Sequence, residues 1–445
     1  MGETIAQASA PWFDQQAGVL DRRVFSDHAI YQRELTHIFA RAWNFVCHTS
    51  QVREAGEYCM SYIGADEVIC VRDRQGQIQV LINSCPHRGN TVCRAEFGNT
   101  RSFFCSYHGW NFDLDGTLLG MPGETDFYEQ ALDKSAWGLT PVAQVEEYRG
   151  FVFATFAADA PPLSEFLGWV GRLGLDMLAA KGELEVVPGI VKNRLPCNWK
   201  LAVDNLYDWY HVKVSHGSSM RLNLLTDEGN SPQQQMVMLG EYGHGIGGPY
   251  ITPEQLQNLA ARQRGAPGAP EWFELQAAWR TDPQVQAQLG PIGSRSLGHP
   301  NIFPNLWVAL TNQICLRIPR GPLETELWWI TLLPKDMKPA HRRAAIATAN
   351  TFFGPSGMLE QDDTENWSHS TRGAIGTVSQ RQPTNYAMRL GKDRTIQDGS
   401  GQSAIESVVS EHGQRWTYQA WQEWMQAESW AELMANHSQP PQGTV

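Results

Sequence analysis

The sequence predicts an α+β protein in which a small all-β domain is inserted into a larger domain that has an antiparallel sheet covered by helices. Residues 43–156 break into short β-rich runs separated by turn signals, as in an all-β domain. Residues 306–318 and 325–333 are longer β-rich runs joined by a short turn, which predicts an antiparallel pair. Helical patterns appear instead near both termini and after residue 198.

Length and charge limit the classes of protein that the sequence fits. A chain of 445 residues is expected to form two or three domains. The formal net charge is −12 and no Lys/Arg block occurs, so we expect neither nucleic acid nor an anionic membrane surface as a partner. The chain lacks an apolar run of the 18 residues that a membrane span needs, and its first twenty residues do not resemble a signal peptide. We therefore expect a cytoplasmic protein.

Three segments are expected along the chain. Residues 1–38 form an N-terminal helical segment that packs with the larger domain, residues 39–158 form the β domain, and residues 159–445 form the larger domain. The second boundary rests on residues 157–162, where an Asp and two prolines follow the last β-rich run.

Turn residues predict two hairpins in the β domain. Residues 68–72 and 78–82 flank Asp-Arg-Gln-Gly, and residues 110–112 and 117–119 flank Asp-Leu-Asp-Gly. Residues 150–156 are predicted to be the strand that closes the domain.

Two loops of this domain contain the strongest chemical signal in the chain. One reads Cys-Pro-His-Arg-Gly and the other Cys-Ser-Tyr-His-Gly-Trp, so the candidate metal ligands are Cys85, His87, Cys105 and His108. Two Cys and two His could hold tetrahedral zinc, although structural zinc sites usually draw their Cys pair and His pair from separate elements. One ligand of each type per loop suits a two-iron cluster with both Cys on one iron and both His on the other. The glycine in each loop would let backbone amides approach the sulfurs.

Residues 198–216 contain a second signal. Apolar residues recur there at a helical period, at Trp199, Leu201, Val203, Leu206 and Tyr210. On such a helix Asp204, Asp208 and His211 share one face. His216 lies five residues after His211, so the helix must end or bulge between them if both rings are to reach one ion. Taken alone, the His-x4-His spacing fits surface or capping histidines equally well.

A Cys/His domain of this kind followed by Asn-Trp-Lys and Asp-Asn-x-x-Asp-x-Tyr-His-x4-His resembles the α (large, catalytic) subunit of Rieske non-haem iron aromatic-ring-hydroxylating dioxygenases. The resemblance covers nearly the whole chain. It implies that the β domain is a Rieske domain with a [2Fe–2S] cluster, and that His211 and His216 bind a mononuclear Fe(II) in the catalytic domain. By motif position the third ligand is Asp363, with Asp362 as the fallback. Two His and one carboxylate leave coordination positions open for O2 beside the substrate.

The resemblance also assigns roles to two residues beside the iron. Asp208 matches the family residue that bridges the iron site and a Rieske histidine of the neighbouring subunit. The alternative is that Asp208 only orients a histidine of its own chain. Asn205 matches a family asparagine near the iron, although it precedes Asp208 by three residues here and by four in some relatives.

The expected substrate pocket comes from the same match and comprises Val212, His299, Phe353 and Leu359. Its apolar members favour a flat aromatic ring, although each is also explained as plain core. Arg221 offers a cation for an aromatic acid, but a solvent-facing arginine is the simpler interpretation.

Two further segments bear on the fold. Residues 243–248 match Gly-x-Gly-x-x-Gly, but Pro249 follows and no helix does, so we predict a flexible loop and not a dinucleotide site. Residues 411–434 contain four Trp and are predicted to be a helical segment packed on the core or at an interface.

The function that the resemblance implies is that of a terminal oxygenase component, which cis-dihydroxylates an aromatic substrate with O2 and electrons from NAD(P)H. The chain has no nicotinamide or flavin motif, so a ferredoxin and/or a flavin reductase must deliver the electrons. A Rieske monooxygenase or demethylase shares the ligand set, and an electron carrier with an inactive second site is an alternative from another class. The resemblance further implies a homotrimer of α subunits, with or without a β subunit (α3β3).

Overall fold

The computed structural model describes residues 11–222, 224–225, 231–257, 278–309 and 311–445. The strands, in chain order, are β1 Phe13–Asp14, β2 Val19–Leu20, β3 Asn44–His48, β4 Glu57–Ile63, β5 Asp66–Arg72, β6 Ile78–Ile82, β7 Phe97–Asn99, β8 Phe103–Phe104, β9 Asn111–Phe112, β10 Leu118–Gly120, β11 Gln144–Tyr148, β12 Phe151–Thr155, β13 Leu184–Val186, β14 Val191–Leu195, β15 Gln235–Leu239, β16 Gly245–Pro249, β17 His299–Ile302, β18 Leu306–Ala309, β19 Gln313–Gly321, β20 Glu324–Pro334, β21 Thr384–Asn385, β22 Thr395–Gln397 and β23 Ser403–Ser407.

The helices within the same part of the chain are α1 His28–Glu34, α2 Leu163–Ala179, α3 Trp199–Asp204, α4 Val212–Ser215, α5 Gly217–Arg221, α6 Pro283–Gly293, α7 Pro339–Phe352, α8 Met358–Gly373, α9 His412–Gln426 and α10 Trp430–Asn436. The mixture of helices with antiparallel sheets confirms the predicted α+β class. Over the described residues, every helix is too short or too polar to cross a bilayer.

The β domain consists of small antiparallel sheets with the strand orders β11-β12-β3, β6-β5-β4-β7 and β10-β9-β8. Both predicted hairpins are confirmed, because β5 pairs with β6 and β9 pairs with β10. The predicted closing strand is β12, which lies between β11 and β3. The two Cys/His loops connect β6 to β7 and β8 to β9, so both emerge beside the same small core.

The larger domain is built on a ten-stranded sheet with the order β13-β20-β19-β18-β17-β16-β15-β23-β22, in which β14 also pairs with β20. The predicted antiparallel pair is present as β19 and β20. The run over 306–318 is divided, however, into β18 and β19. Asn312 has a φ of +61°, which turns the chain between these two strands.

The prediction of a flexible loop over residues 243–248 is wrong. Most of this segment is the buried strand β16, which pairs with β15 on one side and β17 on the other. A Cβ atom added at Gly245 would lie 2.6 Å from Tyr207 Oη, and one added at Gly247 would lie 2.7 Å from Tyr207 Cδ1. The glycines therefore make room for the Tyr207 ring, and the dinucleotide interpretation remains excluded.

Both terminal segments, which are predicted to be helical, contain helices, but each also contains other structure. Residues 1–10 lie outside the described residues, and the N-terminal segment then forms β1 and β2 before its helix begins at His28. Pairing of β2 with β21 fixes this part as a strand. The C-terminal segment is divided into α9 and α10, because Ala427 O accepts a hydrogen bond from Arg41 Nη1 at 2.6 Å and Ser429 caps the second helix. All four of its Trp residues are buried, as expected for a segment packed on the core.

A buried polar network attaches α3 to the N-terminal and C-terminal segments. Lys200 Nζ lies 2.5 Å from Glu34 Oε1, and the two side chains are 3% and 0% exposed. The indole groups of Trp199 and Trp421 each donate a hydrogen bond of 2.8 Å to the same carboxylate. Because the chain continues from α3 towards His211 and His216, this network fixes the start of the segment that contains the two histidines.

Candidate active site

The two Cys/His loops have the same backbone hydrogen bonds. Gly89 N donates to Cys85 O at 2.8 Å, and Gly109 N donates to Cys105 O at 2.9 Å. The glycines have φ values of +70° and +76°, a region that favours glycine. A Cβ atom at Gly109 would also come within 2.7 Å of Pro122 Cγ. Each glycine thus turns its loop back over its own cysteine.

The thiols of Cys85 and Cys105 are buried next to each other. Burial raises the pKa of the Cys85 thiol. Burial by itself would raise the pKa of the Cys105 thiol. Hydrogen bonds from the Tyr107 amide and the Asn90 side chain outweigh burial and lower this pKa. Asn90 Nδ2 lies 3.6 Å from Cys105 Sγ. N–H groups directed at a sulfur favour its thiolate form, which is the form that binds iron.

The imidazoles of the two loops lie next to each other in an edge-to-face arrangement. The ring centroids of His87 and His108 are 4.4 Å apart, and His87 also stacks on Trp110 at 5.0 Å. His87 Nδ1 is buried and, over the described part of the chain, has no hydrogen-bond partner. A buried ring nitrogen needs a partner, and an iron ion would provide one. Two adjacent thiols and two adjacent imidazoles therefore fit a two-iron cluster.

The predicted single helix around the histidine pair is broken. One helix ends at Asp204, well before His211, and the short helix α4 then ends at Ser215, so a helix also ends between His211 and His216 as expected. Asp208 Oδ1 accepts hydrogen bonds from the amides of Tyr210 and His211, at 2.9 and 3.2 Å. This local bonding competes with the helical pattern and starts a new turn, α4, that separates the two histidines.

Three side-chain atoms converge where α4 meets α8. His211 Nε2 lies 3.2 Å from His216 Nε2, and Asp363 Oδ1 lies 3.1 Å and 3.3 Å from these two nitrogens. Ligands at about 2.1 Å from one ion and at right angles are roughly 3 Å apart, so one ion can contact all three atoms. Asp363 Oδ1 is buried without a properly oriented donor among the described residues, which a metal ion would supply.

The position of Asp363 follows from the pattern of α8. The buried residues of this helix recur at steps of three or four, at Glu360, Asp363, Trp367 and Thr371. Asp362 lies beside this stripe and contacts the other nitrogen of one histidine, with Asp362 Oδ2 3.3 Å from His216 Nδ1. The structure therefore brings Asp363, and not Asp362, next to both Nε2 atoms.

Asp208 contacts the far side of the other histidine. Asp208 Oδ2 lies 3.4 Å from His211 Nδ1. Burial by itself would lower the pKa of the His211 imidazole. The carboxylates of Asp208 and Asp363 outweigh burial and raise this pKa to about 10. Such a carboxylate orients the imidazole and strengthens it as a metal ligand.

Asp204 does not share this face, contrary to the helical prediction. Its Oδ2 accepts hydrogen bonds from the hydroxyls of Tyr386 and Tyr418, at 2.6 and 2.9 Å. Burial raises the pKa of Asp204 to about 7. Because α3 ends at this residue, its carboxylate turns towards the C-terminal segment.

A cavity of about 150 Å³ lies beside the three converging atoms. The four predicted pocket residues, Val212, His299, Phe353 and Leu359, all line it, as does Asn205. Burial lowers the pKa of His299 to about 4, so its ring is neutral at neutral pH. The described residues that line the cavity include no Lys or Arg.

The residues that line the cavity differ in part from those that the sequence predicts. Arg221 is exposed and does not line the cavity, so its suggested contact with a substrate carboxylate is not present. Trp209, Trp307 and Thr311 line the cavity but were not predicted. Strand alternation could have indicated Trp307, because it lies on the opposite face of β18 from Leu306.

Two family models match the chain. Residues 42–143 match the Rieske [2Fe-2S] domain, and residues 178–427 match the ring hydroxylating alpha subunit (catalytic domain). The chain belongs to the ring-hydroxylating α subunits.

Individual relatives of this α subunit cover almost its entire length. It is 35% identical over 445 residues to the biphenyl 2,3-dioxygenase subunit alpha of Rhodococcus jostii (strain RHA1), with 95% of this chain and 92% of the relative covered. It is 33% identical over 443 residues to a benzene 1,2-dioxygenase subunit alpha of Pseudomonas putida, with coverages of 95% and 94%. The solved structure of naphthalene 1,2-dioxygenase with indole bound in the active site matches with a TM-score of 0.85, at 28% identity and with coverages of 95% and 96%.

This α subunit is therefore the terminal oxygenase component of an oxidoreductase that hydroxylates aromatic compounds. Its cofactors are a Rieske [2Fe–2S] cluster and a mononuclear non-haem iron. It acts on an aromatic substrate with O2 and with electrons from a reductase or a ferredoxin.

Proposed function

We propose that this α subunit cis-dihydroxylates a single-ring aromatic substrate, which binds in the cavity beside His211, His216 and Asp363. The observation that carries this proposal is the cavity itself, whose volume is about 150 Å³ and whose lining includes all three candidate iron ligands. An engineered apolar cavity of about 150 Å³ is known to bind benzene, so one aromatic ring fits the space. The similarity to a benzene 1,2-dioxygenase subunit alpha supports the same substrate size.

When bound, the mononuclear iron supplies the activation of O2, and the cluster supplies electrons to it. The surrounding residues position the substrate ring. Phe353 stacks on Trp329 with ring centroids 4.7 Å apart, which holds it as a rigid wall of the cavity. Leu359 and Val212 add apolar surface that excludes water. Asp362 and Asp208 hold the outer nitrogens of the two histidines, which keeps both Nε2 atoms directed at the metal position.

We propose that the cluster ligands are Cys85, Cys105, His87 and His108. The matching loop geometry, the buried thiol pair and the Nδ1 atom of His87, which lacks a partner among the described residues, support this assignment. For the catalytic residues, we propose that Asp208 connects the two centres and that Asn205, which lines the cavity, lies near the iron.

We further propose a homotrimer in which His108 of one subunit meets Asp208 of the next, with or without β subunits. Large apolar side chains are exposed at both places. Phe104 and Tyr107, beside the cluster, are each 61% exposed, and Tyr210, beside the iron site, is 65% exposed. Exposed apolar surface of this kind marks a protein–protein interface. A contact between two different surfaces can close into a ring.

Two further expectations are part of the proposal. The division into segments 1–38, 39–158 and 159–445 is supported by family matches that end at residue 143 and begin again at residue 178. A cytoplasmic location is supported by the eight cysteines, none of which forms a disulfide. Three of them have sulfur atoms within 4.8 Å of one another without forming a disulfide, which suits a reducing compartment.

Product analysis tests the proposed reaction. The purified oxygenase, supplied with a ferredoxin and a reductase, is offered benzene, toluene and biphenyl under ¹⁸O2. We expect iron at about three atoms per chain, two in the cluster and one at the triad. We also expect cis-diols of the one-ring substrates that contain two ¹⁸O atoms. Incorporation of a single ¹⁸O would indicate a monooxygenase, and about two iron atoms without turnover would indicate an electron carrier.

A further inference from the structure

Trp307 lines the cavity with an indole N–H that has no acceptor among the described residues. Its side chain is only 2% exposed, so water does not freely satisfy this donor. The other tryptophan of the lining differs, because Trp209 Nε1 donates to Gly247 O at 3.1 Å. The hydroxyl of Thr311 is also engaged, at 2.9 Å from Gln313 Oε1. A buried donor without an acceptor is costly, and a bound molecule can remove that cost.

The charges around the cavity restrict what that molecule can be. The carboxylates of Asp208 and Asp363 line it, and no Lys or Arg does so over the part of the chain that the structure describes. Apart from the iron that His211, His216 and Asp363 would hold, a substrate carboxylate would therefore meet no cation among the described residues of this buried space and would lie close to the Asp208 carboxylate, which is unfavourable. A neutral acceptor is much easier to desolvate and still pairs with an N–H group.

We propose that the substrate ring carries a neutral hydrogen-bond acceptor, such as a carbonyl, nitrile or ether group, that binds to Trp307 Nε1. This inference rests on the proposed function, because it specifies the substrate class of the same cavity. One fixed polar contact at the cavity wall also selects which edge of the ring faces the converging atoms of His211, His216 and Asp363. Trp307 is thus a specificity-determining residue for both the choice of substrate and the position of attack.

A pair of ligands with nearly the same shape tests the contact. Acetophenone presents a carbonyl group where α-methylstyrene presents a C=CH2 group, and benzoate adds a charged comparison. Dissociation constants are measured by calorimetry on the iron-loaded oxygenase without O2. We expect acetophenone to bind about 3- to 10-fold more tightly than α-methylstyrene, and benzoate not to bind measurably. Equal binding of the neutral pair, or tightest binding of benzoate, would overturn the inference.

Substitution at Trp307 locates the donor. Trp307→Phe keeps an aromatic wall and removes the N–H, so the preference for acetophenone should fall to about one-fold. Trp367→Phe is the matched control, because Trp367 Nε1 is likewise buried without an acceptor among the described residues, but Trp367 is not among the residues that line the cavity. It should retain the preference. A purely structural role would change the binding of both ligands equally, so loss of the preference in both variants, or in neither, contradicts the assignment.

Failure of this inference can be distinguished from failure of the proposed function. If both neutral ligands bind equally and benzene is still converted into a cis-diol, the acceptor is not recognised and the function stands. If no aromatic compound binds or reacts in an oxygenase with an intact Rieske spectrum and full iron content, the proposed function and the inference both fail.

Discussion

Asp362 and Asp363 contact the same imidazole, that of His216, through opposite ring nitrogens: each has a carboxylate oxygen 3.3 Å from its nitrogen. Only Asp363 also contacts His211 Nε2. The two neighbouring carboxylates should therefore have unequal effects when they are removed.

We expect Asp363→Ala to lose the mononuclear iron and all turnover, because a direct ligand is missing. The visible spectrum of the Rieske cluster should not change, since the two centres have separate ligands. Asp362→Ala should keep the iron with an affinity reduced by about 10- to 100-fold, because only the orientation of His216 is affected. Iron quantitation, absorption spectra and turnover measure these effects. The reverse order of severity would make Asp362 the ligand.

The side chains that converge at the proposed iron site could be chosen from the sequence, because they lie in short motifs with fixed spacing. The end of the helix at Asp204, before His211, could not be predicted in this way. The helix break depends on the Asp208 side chain, which accepts from two backbone amides and so overrides an apolar pattern that is helical throughout. The glycine pattern of β16 likewise predicts a loop. The glycines are needed instead because they pack against Tyr207, which is distant in sequence and therefore not visible in the local pattern. Local patterns do not contain such contacts.

The prediction of cavity-lining residues from the sequence is also limited by contacts between distant parts of the chain. Val212, His299, Phe353 and Leu359 follow from motif position and all line the cavity. Alternation along β18 places Trp307 and Leu306 on opposite faces, but which of the two faces borders the cavity depends on the register of a sheet that only the fold specifies.

The buried pair of Glu34 and Lys200 should be essential for stability. Lys200→Met leaves a carboxylate buried without its cation, and we expect it to lower the free energy of unfolding by about 3–5 kcal/mol. The double variant Glu34→Gln with Lys200→Met should lose less, because the amide oxygen still accepts from the Trp199 or Trp421 indole. Chemical denaturation of the three proteins measures both effects. A double variant as unstable as the single one would show that the charge itself is not the cause.

Asp204 should make stability depend on pH. Its pKa is raised from 3.8 to about 7 in the folded protein, so its neutral form is favoured by folding. The stability that Asp204 adds to the folded protein is fully present below pH 4 and is lost as the pH rises through about 7. Asp204→Asn has no proton to lose, so its stability relative to wild type should increase between about pH 4 and pH 7 and then stay constant.

Thermal midpoints of wild type and Asp204→Asn, taken across this pH range, test that expectation. The exposed Asp126 provides the control, since Asp126→Asn should follow wild type at every pH. A difference between Asp204→Asn and wild type that is independent of pH would exclude titration of Asp204 as its source.

The proposed trimer predicts that two inactive variants restore each other. His211→Ala keeps the cluster and loses the iron site, and His108→Ala keeps the iron site and loses the cluster. After co-expression, a working junction needs one variant followed by the other, so the whole population of rings should recover about one quarter of wild-type turnover, and purified mixed rings about one third. Differently tagged subunits allow the mixed rings to be purified. Mixed rings that contain both surviving metal centres and remain inactive would place the electron path within one chain.

The packing of Tyr207 against Gly245 and Gly247 should make these three positions covary in evolution. Any side chain at either glycine would occupy the space of the tyrosine ring, and the tyrosine immediately precedes Asp208 in the chain. A larger residue at 245 or 247 is therefore tolerated only together with a smaller residue at 207. Across diverging descendants of this enzyme, residues 207, 245 and 247 should change jointly, as one unit of variation behind the iron site.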